Sequence, residues 1–435
     1  MTFPLISTGR ASAGFAVPSV LAGRAAVVAP YGSGKYYREE FERRGWDCVA
    51  VTPPDEALPP LYRGSLDPTG YRHVVVHGDD VAATAQALRG LRVSAVVAGT
   101  EIGVSLAEQL AHRLGLPGND PRTSSRRRDK GAMVAALVSA GIEAPRSLSA
   151  DRLQDALSWA QALDTPDVVL KAADSAGSGG VFICSGPDEI RSAWAQLHGI
   201  SNAMGGDNQH LIIQERLQGS HYVVNSVSAP GPGGARHTIT EVWADRRSGT
   251  TRVYDRLDLL DRAKFVPRVL AQCTVRALNA LGISEGPAHT ELMYVPGRGP
   301  VLIENGARPE GAYDQAAMRE AVGSDHIRDA VHAVVTGTPK SLAADRPRCT
   351  VSQISLIAPY DGVLDEGLLL TLLTLPTVRG YVRALVPGTP VRRTVGLLTS
   401  PGRLTLAAED PRAIDRDYAT IRALESAGLY DGGTR

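Results

Sequence analysis

The chain has 435 residues, 43% of them hydrophobic and 21% charged, and its 46 Lys and Arg balance 46 Asp and Glu. That length exceeds what a single hydrophobic core sustains, so two or three domains are expected. A net charge of zero gives no footprint for nucleic acid or a membrane surface, and no apolar run approaches transmembrane length, so neither is an expected partner. The four cysteines, Cys48, Cys184, Cys273 and Cys349, are scattered with no CxxC pair. They predict reduced thiols and a cytoplasmic location, with neither a disulfide frame nor a zinc site. The opening stretch, Met1 to Arg24, lacks a basic start followed by an unbroken apolar run and reads as a loose leader rather than a signal peptide.

In chain order, Arg24–Pro30, Trp46–Val51, His73–His77 and Ser94–Ala98 read as strands, with helical patterns at Lys35–Arg44 and Glu108–Leu114. Strands alternating with helices predict a parallel, doubly wound sheet. The sequence Gly32-Ser33-Gly34-Lys35 invites a phosphate-loop reading and fails it, because Ala29 stands where the first glycine belongs and Tyr36 where a magnesium-binding hydroxyl belongs. Arg126-Arg127-Arg128-Asp129-Lys130 then leads into a helix over Gly131–Ala140 with Asp129 as N-cap. Strands follow at His210–Glu215, Tyr222–Ser228 and Thr238–Trp243, and an amphipathic helix at Val266–Leu281. Past Thr336 short strands such as Val351–Ile357 and Val391–Leu398 alternate with Gly and Pro turns, and Ala413–Ala427 is a closing helix. Three domains are expected: 24–120 Rossmann-like, 121–339 with a subdomain at about 145–220, and a small β-rich domain over 340–435.

Two segments carry chemistry. The first is Val169 to Cys184, two short apolar strands joined by Ser175-Ala176-Gly177-Ser178-Gly179-Gly180. Glycines let backbone N–H groups approach a ligand closely, and Lys171, on the strand before the loop, offers phosphate a point charge. Read as an exposed strand-end charge, Lys171 should contribute little to stability. The plain alternative is a hairpin tip.

The second segment is Ala288 to Gly311, two apolar runs flanking the turn Pro296-Gly297-Arg298-Gly299-Pro300. Pairing outward from the turn sets Tyr294 against Val301, Leu292 against Ile303, Glu291 against Glu304, and His289 against Gly306. Directly opposed like charges destabilise a sheet, and a cation between the two glutamates removes the conflict. Hard oxygen ligands that also face phosphates suit magnesium.

Together these segments resemble the ATP-grasp superfamily, most closely its dipeptide-forming carboxylate–amine ligases, the L-amino acid ligase group. The matching pieces, from about Arg24 to Gly323, are Arg128-Asp129-Lys130, the Lys171 strand with its Gly/Ser loop, Gln214 to Gly219, His289-Thr290-Glu291, and Glu304 to Arg308. The resemblance implies an α/β ATP-grasp fold with an N-terminal Rossmann-like domain and a small β-rich C-terminal domain. It implies that Lys130 and Lys171 contact ATP phosphates and that Ser178, Gly179 and Gly180 close over them. Glu215 and Leu217 would form the hinge that meets adenine through backbone groups. Glu291 and Glu304 would hold Mg2+ or Mn2+, Arg308 would stabilise the phosphoryl group, and His289 would face the substrate carboxylate. Two positions depart from the family's pattern. Gly306 stands where many relatives place an asparagine metal ligand, and Asn305 falls on the wrong face. His221 stands where many place the glutamate that holds the ribose.

The expected activity is ATP-dependent joining of a carboxylate and an amine through an acyl phosphate, releasing ADP and phosphate. The expected partners are small-molecule carboxylate and amine substrates, and the expected assembly is a homodimer. A ligase with another acceptor and a catalytically silent nucleotide-binding module are the alternatives. A small Ala312 beside Tyr313 suggests room for a bulky substrate side chain.

Overall fold

The computed structural model describes residues 22–59, 62–163, 165–174, 180–202, 206–248, 253–311, 314–382 and 385–432. Its first unit is built from β1 (Gly23–Val28), α1 (Tyr37–Glu42), β2 (Trp46–Thr52), β3 (His73–Val76), α2 (Val81–Gly90), β4 (Ala95–Ala98) and α3 (Val104–Leu114). The strands form a parallel sheet in the order β3-β2-β1-β4, as the alternation predicts. Both faces of β1 and β2 are covered, which is why these strands read as unbroken apolar runs. The Gly-Ser-Gly-Lys segment serves packing here. It forms a 3-10 turn, Gly32–Tyr36, and a Cβ on Gly34 would lie 2.6 Å from the Gly99 backbone. Only glycine allows that approach.

A short helix α4 (Ser125–Arg128) leads to α5 (Lys130–Ser139). Asp129 caps α5 as predicted, accepting a hydrogen bond from the backbone of Ala132. Arg127 in α4 is fully buried and makes a two-pronged ion pair with Glu108 of α3, at 2.6 and 2.9 Å. It also donates to the carbonyls of Asp120 and Leu281. One side chain thus ties the parallel sheet's layer to the body of the protein. Removing one partner of a buried pair leaves an uncompensated charge, a loss of about 3–5 kcal/mol. Arg127→Ala is expected to lose that much in denaturant unfolding, and the apolar double substitution Arg127→Leu with Glu108→Leu much less.

The next unit is a four-stranded antiparallel sheet under two helices: β5 (Ser147–Ala150), α6 (Leu153–Ala162), β6 (Val168–Ala172), β7 (Val181–Cys184), α7 (Pro187–Leu197) and β8 (Leu211–Glu215). Its order is β5-β8-β6-β7, with Leu170 opposite Phe182 and Lys171 opposite Val181. Ala156, Leu170, Trp194 and Ile213 form part of its core.

The largest sheet has eight strands. In chain order the elements are β9 (Ser220–Gly231), β10 (Gly234–Ser248), β11 (Val253–Leu259), α8 (Phe265–Ala280), β12 (Gly286–Val295), β13 (Gly299–Gly306), α9 (Gln315–Val322), α10 (His326–Thr336) and β14 (Thr350–Ser355). They continue with β15 (Gly362–Val363), α11 (Glu366–Leu373), β16 (Val378–Val382), β17 (Pro390–Val391), β18 (Arg403–Ala408) and α12 (Pro411–Ser426). The order β13-β12-β9-β10-β11-β14-β18-β16 carries the sheet without a break past residue 340.

The strand expected over Val391–Leu398 stops at Val391, and a 3-10 turn occupies Leu397–Thr399. The backbone N–H of Val395 goes to the Thr399 hydroxyl instead of a ladder, and the Val395 side chain is 68% exposed. The apolar run covers the rim of a cleft rather than a core. No helix among the described residues is long and apolar enough to cross a membrane.

Candidate active site

The site is a face of the eight-stranded sheet. Side chains on one face recur every second residue, so cross-strand neighbours form rows. One row runs Gly306, His289, Asn225, Glu241 across β13, β12, β9 and β10. The next runs Glu304, Glu291, Val223, Trp243, and a third places Met293, His221 and Asp245 side by side. The pairs Glu291–Glu304 and His289–Gly306 are those read from the sequence. Nearer the turn the register differs by one residue: Leu292 faces Leu302 and Tyr294 faces Pro300. A bulge takes up Ile303, which lines the cavity beside Glu304.

The two glutamates do not face each other bare. Lys130 Nζ lies 3.2 Å from Glu304 Oε1, and Arg247 Nη2 lies 3.6 Å from Glu291 Oε2. His289 Nε2 is 3.9 Å from Glu291 Oε1, and the Tyr254 hydroxyl 3.5 Å from the same oxygen. Burial pushes the Glu291 carboxyl up, but His289 and Arg247 outweigh it and hold the group well below the usual carboxylate range. Protein cations therefore relieve much of the like-charge conflict that the sequence assigned to a metal.

Lys171 is 4% exposed, which corrects its reading as an exposed strand-end charge. Burial, and then the neighbouring charge of Lys130, push its ammonium down to about 8. Among the described residues no carboxylate lies within 4 Å of it. A poorly compensated cation on a cavity wall is a place for an anion.

Arg308 lies at the mouth of the parallel sheet. Its Nε donates to Glu101 Oε2 at 2.8 Å, and Arg128 Nη1 donates to Glu101 Oε1 at 2.7 Å. A Cβ added at Gly306 would come within 2.9 Å of Glu101 Oε2 and 3.2 Å of the Arg308 guanidinium. The space a longer side chain would need at position 306 is thus taken by that ion pair. Asn305 points away as expected: it is buried and donates to Thr290 Oγ1 at 2.7 Å.

Lys130, Lys171, Arg247, Glu291, Glu304 and Arg308 line one end of a cavity of about 400 Å³. The other end is apolar, walled by Val169, Phe182, Ile183, Leu217, Met293 and Ile303. Leu217 and His221 line the cavity. The Glu215 carboxylate does not. It accepts from the backbone and guanidinium of Arg146 and from Arg298, at 2.8–2.9 Å, so it fastens the hinge while its neighbours Gln214 and Arg216 face the cavity. Asp245, opposite His221 on β10, is spent on Arg247 at 2.7 Å and does not replace the missing acid at position 221. Gly180, with φ of +75°, begins the return into β7. Ser178, Gly179, Ala312 and Tyr313 lie outside the described residues.

Sequence reasoning missed Glu101, Arg247 and Tyr254. Glu101 had a signal, because it follows the carboxyl end of a parallel strand, where open α/β sheets bind ligands. The donor set also suits one hard cation. Glu291 and Glu304 are its two hard oxygen donors, and the described residues hold no group of three or more His, Cys, Asp or Glu that could bind a metal ion by itself.

No family model matches the chain. It is 27% identical to dapdiamide A synthase of Enterobacter agglomerans over 421 residues, 93% of this chain and 97% of that one. The crystal structure of L-amino acid ligase from Bacillus licheniformis superposes with a TM-score of 0.71 at 17% identity, covering 92% of this chain and 97% of the other. Carboxyaminoimidazole ribonucleotide synthase from Aspergillus clavatus, solved with ATP, gives 0.68 at 14% identity over 93% and 99%. The protein has the ATP-grasp fold. Within that class it resembles the L-amino acid ligases.

Proposed function

We propose that the protein is an ATP-dependent carbon–nitrogen ligase that joins a carboxylate to an amine through an acyl phosphate, releasing ADP and phosphate. The observation that carries this is the cavity's polarity. An apolar slot at the hinge suits a base, and the opposite end gathers Lys130, Lys171, Arg247 and Arg308 around two opposed glutamates. A dapdiamide synthase among the relatives supports amide-bond formation in specialised metabolism. The fold's neighbours solved with ATP and with MgADP support the nucleotide and magnesium.

In this reading the adenine lies against Leu217 and Met293. Lys130 and Lys171 hold the phosphates, and Glu291 and Glu304 hold magnesium, or manganese with the same hard-oxygen preference. When bound, the ion neutralises phosphate charge. Arg308, held in place by Glu101, faces the phosphoryl group as the substrate carboxylate attacks it. The neutral amine nitrogen then attacks the acyl carbon, the acyl–oxygen bond breaks with phosphate leaving, and the nitrogen's surplus proton is lost to the departing phosphate or to water. Charge neutralisation and in-line positioning supply the catalysis. The four free thiols fit a cytoplasmic protein, and a homodimer is the proposed assembly.

Incubation with ATP, magnesium and panels of acids and amines, followed by nucleotide chromatography, tests the proposal. The expected result is ADP formation that needs an acid and rises with an amine. AMP as the main product, or ADP release indifferent to every acid and amine, would reject it in favour of a silent nucleotide-binding module.

A further inference from the structure

The row behind His289 has no role in the chemistry above. Asn225, its direct cross-strand neighbour, is fully buried. Its Nδ2 donates to Glu241 Oε2 at 2.8 Å and to Glu310 Oε2 at 2.6 Å, and its Oδ1 lies 3.0 Å from His289 Nδ1. Both carboxylates are themselves buried, at 3% and 4% exposure.

We propose that Asn225 is a positioning residue. Clamped by Glu241 and Glu310, it holds the His289 imidazole with Nδ1–H turned into the sheet and Nε2 on the cavity wall. The inference rests on the ligase reading for its purpose, but not for its geometry.

Donors and acceptors fix the orientation of both side chains. An amide has two N–H donors on one end and an acceptor oxygen on the other. Two carboxylate oxygens within 2.8 Å take both donors, and the reversed amide would set oxygen against oxygen twice. The oxygen therefore faces His289, and the ring nitrogen that meets it must bear a hydrogen. Nε2 is left toward the cavity and Glu291.

The clamp is itself fixed. Trp243 Nε1 donates to Glu241 Oε2 at 3.0 Å, and Arg403 of β18 lies 3.9 Å from Glu310 Oε1. The Glu310 backbone N–H meets His326 Nδ1 at 3.3 Å, and His326 Nε2 donates to the Ser226 carbonyl at 2.9 Å. Burial pushes the His326 imidazole down to about 3, in keeping with an accepting Nδ1. None of Asn225, Glu241 or Glu310 lines the cavity. Asn225 joins the two carboxylates to the cavity wall through His289. Rotation about the imidazole's χ2 is intrinsically broad, so an unclamped ring would present carbon or nitrogen to the substrate indifferently.

The test is a kinetic cycle with a spectroscopic arm. Asn225→Ser is expected to lower kcat for substrate-dependent ADP formation roughly 10- to 100-fold, the scale on which loss of an orienting partner acts on a metal-bound histidine. The ATP Kd, measured by calorimetry, should stay within about twofold. Added to His289→Ala, Asn225→Ser should have no further effect on kcat. Costs that multiply in the double variant would overturn the proposal. The second arm uses the wild-type chain labelled with 15N-histidine, with His289 assigned from the signal lost in His289→Ala. A protonated Nδ1 is expected, and a bare Nδ1 would overturn the proposal even if Asn225→Ser does not fold. This arm needs no turnover, so absence of ligase activity would reject the functional reading while leaving the positioning inference decided by the spectrum.

Discussion

Glu304→Gln is expected to lower substrate-dependent ADP formation by at least about 10²- to 10³-fold, the scale on which removal of one preorganised electrostatic group acts. Glu304 faces Glu291 directly across the ladder, and no third acid completes the set among the described residues. The amide keeps shape and hydrogen bonding but loses half of the anionic charge that would hold magnesium, so the magnesium needed for half-maximal rate should rise. Stability of the nucleotide-free protein should change by less than about 1 kcal/mol. Relief of the Glu291–Glu304 repulsion favours the variant, and loss of Lys130's partner at 3.2 Å opposes it. Magnesium titration of the steady-state rate and denaturant unfolding check both halves. An unchanged magnesium dependence would reject Glu304 as part of the metal site.

The acidic hairpin was legible because its information is local. A Gly/Pro turn sets the register, and period-two alternation does the rest for the residues beyond the bulge. The bulge at Ile303 was not legible, since nothing in the residue pattern distinguishes it from a regular ladder. Glu101 and Arg308 meet across 207 positions of sequence, and Arg247 stacks 3.5 Å over the Tyr254 ring because two strands are neighbours. Asn225 is hidden for the same reason: its importance depends on β9 lying beside both β12 and β10. The parallel sheet was readable from alternation alone, whereas the exposed Val395 rim carried an apolar pattern without a core to justify it. The depth of Lys171 is a tertiary quantity. As the second residue from the end of a short strand, it looked exposed until the sheet beneath it was in place.

That depth leads to an expectation opposite to the one drawn from sequence. A buried lysine pushed down to about 8 destabilises the nucleotide-free fold. The sign follows from proton binding: between about pH 8 and the ordinary lysine value of 10.5 the unfolded chain holds the proton more tightly. Stability contributed by this group therefore rises with pH across that window, and its full cost is present below it. Lys171→Met should raise the stability of the nucleotide-free protein at pH 7 by up to about 3 kcal/mol and flatten that part of its stability–pH profile. The same substitution should weaken ATP binding at least about tenfold, because the charge that costs stability is the one left for phosphate. Binding should also take up protons in the wild type near pH 8 and above, since phosphate raises the lysine's proton affinity, and the uptake should vanish in the variant. Unfolding at pH 7 and pH 10, with ATP calorimetry in buffers of different ionisation heat, measures all three. A Lys171→Met protein that is less stable at pH 7 yet binds ATP normally would show that Lys171 is a packing residue with no part in holding the nucleotide.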